Sequence, residues 1–87
     1  SEVARTYNVT ASDIRGPKRN SAVSAARRTA AYVVREITGL SMEEIGKEFG
    51  GRDHSTIVYS IRVMEKDIQN DSRLKETVED IIKNVRS

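Results

Sequence analysis

SMEEIGKEFGGRDHSTIVYSI, residues 41–61, is the stretch whose reading decides the fold. Ser41 and Glu44 have the S-x-x-E spacing of a capping box, in which each side chain satisfies a backbone N–H that a helix start leaves open. A short helix from Met42 to Phe49 is therefore expected. Gly50-Gly51 stops it, because glycine accepts the left-handed backbone of a helix C-terminus. After Arg52, Asp53 is placed to cap a second helix with Ile57, Ile61, Met64 and Ile68 along one stripe. Gly46 offers a small residue where two helices cross closely, and Phe49, Ile57 and Ile61 would lock the pair. A short helix, a glycine turn and a longer helix with a polar first turn form the layout of a helix-turn-helix, spanning about residues 41–69.

Helical periodicity continues on both sides. Upstream, Thr10 with Asp13 predicts a capped helix around 10–14, followed by the loop Arg15-Gly16-Pro17-Lys18-Arg19-Asn20. From Ser21 a long helix runs to Thr38-Gly39, with Val23, Ala26, Ala30, Val33 and Ile37 on one stripe. Arg28, Tyr32 and Arg35 fall on a different face. Downstream, Asn70-Asp71-Ser72 breaks the chain before a last helix bearing Leu74, Val78, Ile81, Ile82 and Val85. The expected architecture is all-α, a compact helical bundle.

Bulk properties agree. A chain of 87 residues is one domain, 1–87, burying roughly two-thirds of its unfolded surface, with no room for a deep substrate cavity. The absence of cysteine excludes disulfides, thiolate metal sites and a cysteine nucleophile. No apolar run approaches the ~20 residues of a membrane span. Ser1, in place of an initiator Met, suggests a boundary inside a longer protein. A net charge of +2 hides an asymmetry: residues 14–35 hold six cations and no carboxylate, whereas residues 41–87 hold 8 cations and 10 carboxylates. That distribution suits a face for a polyanion.

FGGRDHSTI at 49–57, with Arg27, Arg35-Glu36-Ile37-Thr38 and Ser41 to Gly46, resembles the C-terminal DNA-binding domain (domain IV) of the DnaA family of bacterial chromosomal replication initiators. The likeness covers residues 17 to about 62, and FGGRDHST is far more specific than a generic helix-turn-helix. It implies a TrpR-like fold of the DnaA domain IV type and binding of double-stranded DNA at origin boxes of the TTATCCACA type. The residues matching the family's base contacts are Asp53, His54 and Ser55 in the major groove, with Arg19 in the adjacent minor groove. Those matching phosphate or nearby positions are Lys18, Arg27, Arg28, Arg35, Met42, Glu43, Arg52 and Thr56. Ala26 and Arg28 replace a common Pro and Gln, Glu43 a common Pro, and Ser55 a common Thr, which bears on box preference. The nucleotide-binding AAA+ module is absent, because no G-x-x-x-x-G-K-S/T loop occurs. No cofactor is expected in this chain, ATP belonging to that missing module. The resemblance also brings acidic phospholipids as a further partner and a cytoplasmic, nucleoid-associated location.

Residue chemistry stands beside the resemblance. Asp53 suits a helix cap, an acceptor for cytosine N4, or both. His54 is the only histidine, so a histidine metal cluster is excluded. Asp53-His54-Ser55 is no catalytic triad, since adjacent helical side chains point roughly 100° apart. Arg19 on a Gly-Pro loop suits a narrow minor groove. Solvated helix charge is the alternative for Arg27, Arg28 and Arg35, and capping is the alternative for Ser55 and Thr56. Arg52 suits either a phosphate or a carboxylate. Tyr32 and Tyr59 are expected to pack in the protein, since duplex recognition needs no stacking platform. The competing functions are a stand-alone transcriptional regulator, a helical protein-interaction module and, least favoured, an enzyme fragment.

Overall fold

The computed structural model describes residues 2–17 and 20–86. Among them six helices form: α1 Glu2–Tyr7, α2 Ala11–Arg15, α3 Ser21–Thr38, α4 Met42–Glu48, α5 His54–Asn70 and α6 Ser72–Arg86. Both expected capping boxes are present. The Thr10 hydroxyl accepts from the Asp13 N–H at 2.9 Å, and that of Ser41 accepts from the Glu44 N–H at 3.1 Å. Each carboxylate reaches back to the N–H of its capping residue. Asn20 caps α3 by accepting from the Val23 N–H at 2.9 Å, a role not expected of it. Phe49 lies one residue past α4, as its C-cap.

The helix α3 packs against every other helix. Its predicted stripe is buried at Val23, Ala26, Ala30 and Val33, while Val34 and Ile37 are half-buried. Thr29 and Ala31 are buried too, because a central helix is covered on more than one side. Small side chains on α3 let its neighbours approach closely, and Ala26 has no exposed surface at all. Thr29 keeps its buried hydroxyl satisfied through the Tyr7 hydroxyl at 2.9 Å. Ile57, Ile61 and Met64 of α5 complete the core with Ile45 and Phe49, which α4 presents, and with Val78 and Ile81 of α6. Ile68, Leu74 and Ile82 pack at its margin, and Val85 is 47% exposed.

Periodicity could not announce α1, which is only six residues long. It forms because Val3 and Ala4 have somewhere to be buried, against α3 and α6. Asn8 ends it at φ 57°, a conformation asparagine tolerates better than most residues.

Candidate nucleic-acid interface

The turn between α4 and α5 is built by close backbone approach. A Cβ at Gly46 would collide with the Arg52 carbonyl oxygen, and the Arg52 N–H donates to the Gly46 carbonyl at 2.9 Å. Gly46 therefore makes room for the returning turn more than for a crossing helix. Gly50, at φ 81°, would drive a Cβ into the Arg15 carbonyl oxygen, so the same turn rests on the end of α2.

Two guanidinium groups join these segments. Arg27 Nε donates to the Ile14 carbonyl at 2.8 Å, and its Nη2 donates to the carbonyls of Asp13 at 3.0 Å and Gly16 at 2.9 Å. Arg52 Nη2 donates to the same Gly16 carbonyl at 2.6 Å, and its Nη1 donates to the carbonyls of Arg15 and Phe49. The carbonyls of Asp13 to Gly16 lie at the C-terminal end of α2 and that of Phe49 at the end of α4, where the helix dipoles are negative. For Arg52, left open between a phosphate and a carboxylate, the observed partners are backbone carbonyls. Arg27, matched to a phosphate position, is likewise engaged within the fold.

The first turn of α5 presents Asp53, His54, Ser55 and Thr56, all exposed, ahead of the buried Ile57. Asp53 Oδ1 accepts from the Ser55 N–H at 2.8 Å, which makes Asp53 the cap. Hydrogen bonding from Ser55 is the main cause that lowers its carboxyl below the ordinary value of 3.8, with the His54 ring, 3.5 Å away, adding to it. The Ser55 hydroxyl also helps to lower the Asp53 carboxyl, while no hydrogen bond is formed by Oδ2 or by the Thr56 hydroxyl among the described residues. Capping thus occupies one oxygen of Asp53 and leaves the other open to a donor.

Beside this turn an open groove of about 710 Å³ runs between α3, α5 and the end of α2. Arg15, Arg27, Arg28 and Arg52 line it, with Thr56 and Tyr59, and among the described residues no carboxylate does. The tertiary fold thus brings Arg27, Arg28, Arg52 and Thr56 together. Arg35 and Met42 form a separate pair, Arg35 Nη1 approaching the Met42 sulfur at 3.2 Å. Glu43 is exposed in the first turn of α4. Lys18 and Arg19 lie outside the described residues. Tyr32 packs against the core as expected, but Tyr59 does not: it is 69% exposed, because its position on α5 faces the groove. Arg15 also enters the groove, and its only signal in the sequence was membership of the carboxylate-free run.

The family model described as bacterial dnaA protein helix-turn-helix matches residues 1–64. The chain belongs to this family. It is 43% identical over 81 residues to the chromosomal replication initiator protein DnaA of Citrifermentans bemidjiense, covering 93% of this chain and 18% of that protein. It is 40% identical over 85 residues to the DnaA of Symbiobacterium thermophilum, covering 98% of this chain and 19% of the relative. For the DnaA of Limosilactobacillus fermentum the figures are 45% over 73 residues, 84% and 17%. The chain thus spans less than a fifth of the length of these relatives. Membership makes a DNA-binding module, not a catalytic one, the type to which this fold belongs, and α4, the glycine turn and α5 have the layout of a helix-turn-helix.

Proposed function

We propose that this chain binds double-stranded DNA sequence-specifically, at sites of the DnaA-box type, as the origin-recognition domain of a replication initiator. The observation that carries the reading is the exposed turn Asp53–Thr56 beside a groove that, among the described residues, is lined by four arginines and no carboxylate. Base edges in the major groove are met by Asp53, His54 and Ser55, and phosphates by Thr56, Arg28 and Arg35, with Met42 and Glu43 nearby. Lys18 and Arg19 extend the contact toward the adjacent minor groove. The dipole of α5 adds positive potential where phosphate would lie. A cytoplasmic place on the nucleoid follows from this reading. Acidic phospholipids, a partner suggested by resemblance alone, offer the same cations a second polyanion; no helix among the described residues is long and apolar enough to cross a membrane.

The test is fluorescence anisotropy with a TTATCCACA duplex against a scrambled duplex at several salt concentrations. Four phosphate or groove cations, Lys18, Arg19, Arg28 and Arg35, would give a log K against log[salt] slope of about −3.5, at roughly −0.9 per contact. His54→Ala removes no permanent charge, so it should leave that slope unchanged while lowering box affinity by about 1–3 kcal/mol. Equal affinity for box and scramble overturns the proposal.

A further inference from the structure

Tyr59 has an exposure that packing does not explain. It is the most exposed large apolar side chain of the described residues, 69% in solvent, on a helix whose apolar stripe is otherwise buried. It lies three residues after Thr56 and four after Ser55, so all three share one side of α5. Tyr59 also lines the arginine groove, together with Arg28, Ser24 and Ser60. Arg28 and Tyr59 thus line one groove, and the Tyr59 hydroxyl makes no hydrogen bond among the described residues.

We propose that Tyr59 is a DNA-backbone contact, its hydroxyl donating to the phosphate that Arg28 neutralises. The proposal rests on the DNA-binding reading above. Geometry distinguishes a backbone role from a base-reading one. Tyr59 stands five residues beyond His54, about 7.5 Å along the axis at 1.5 Å per residue. A major groove is about 8.5 Å deep. When the start of α5 reaches the groove floor, Tyr59 is therefore near the rim, where phosphates are. Tyrosine hydroxyls are regular phosphate donors. Stacking on a base would require an unpaired strand, which a duplex site does not offer.

Tyr59→Phe, which removes only the hydroxyl, tests the proposal on the 87-residue chain. Because the side chain is exposed, circular dichroism and Tm should match those of the parent. Affinity for box and scrambled duplexes should fall by a common factor of about five, with an unchanged salt slope, since no charge is lost. A methylphosphonate scan of the box should find one position where a neutral phosphate weakens the parent by a larger factor than it weakens Tyr59→Phe, which there loses only its Arg28 contact; equal factors at every position overturn the proposal. Parental affinity in Tyr59→Phe overturns the proposal while leaving the DNA-binding reading intact. So does a loss confined to the box, which would make Tyr59 a base reader. Failure of the parent to bind either duplex overturns both.

Discussion

Asp53 caps α5 with one oxygen, and on the proposed DNA-binding reading its other oxygen meets a base; the two tasks can be separated by substitution. Asp53→Asn keeps the capping acceptor, since asparagine caps a helix as well as aspartate. It replaces the second oxygen with an NH2 group that cannot accept from cytosine. This variant should therefore keep a Tm close to that of the parent and lose box selectivity, whereas Asp53→Ala should lose both. Thermal melts and anisotropy on the two variants check this. The same residue sets a pH dependence. Its carboxyl is lowered in the fold, so its contribution is complete above the unfolded value and is lost as pH falls through the folded one. Amide exchange at Ser55, the N–H that Asp53 holds, should accelerate relative to mid-helix amides on acidification below about pH 4.

At the scale of elements, α2 is held where it is by Arg27 and Arg52, both of which donate to the Gly16 carbonyl. That carbonyl lies at the start of the basic loop, and the donors come from α3 and from the turn between α4 and α5, so three segments are joined at one oxygen. In the sequence Arg27 read as a phosphate contact by resemblance, with solvated helix charge as the alternative. Neither periodicity nor resemblance encodes the carbonyls that α2 presents, thirteen residues away in the chain at Ile14. Arg27→Lys distinguishes the two roles. Lysine keeps a point charge that serves a phosphate, but one ammonium cannot span three carbonyls as a guanidinium fork does. If Arg27 is chiefly a tie, Arg27→Lys should lose about 2 kcal/mol in urea unfolding, close to the effect of Arg27→Ala, since partly buried carbonyls lose their donors. Parental stability with weakened DNA binding in Arg27→Ala alone would make the phosphate role primary.

The whole molecule turns on α3. Every other helix packs against it, so its small residues set the spacing of the bundle, 30 × 26 × 24 Å in extent. Ala26 has no room to grow. Ala26→Leu should cost about 1–3 kcal/mol through overpacking, and the loss should appear in one cooperative urea transition, not in a separate early phase. A partial transition confined to α1 and α2 would instead show the bundle to be less coupled than its packing implies.

Local rules determined a great deal of this protein from the sequence alone. The capping boxes at Thr10 and Ser41, the glycine turn at 50–51 and the stripes of α3 and α5 each depend on residues within one or two helical turns. Such signals survive in a linear reading because the interactions that produce them are themselves local in the chain. The string from Phe49 to Ile57 likewise points to the family by itself. Only tertiary structure decided the rest. The helix α1 exists because α3 and α6 offer burial to Val3 and Ala4. Arg27 and Arg52 bind carbonyls brought from another segment. Tyr59, which reads as a packing residue in one dimension, stands exposed because the helices that cover the neighbouring stripe leave its side of α5 open. The physical reason is common to all three: burial, and the partner a charged side chain finds, depend on what lies across space, which spacing along the chain does not encode.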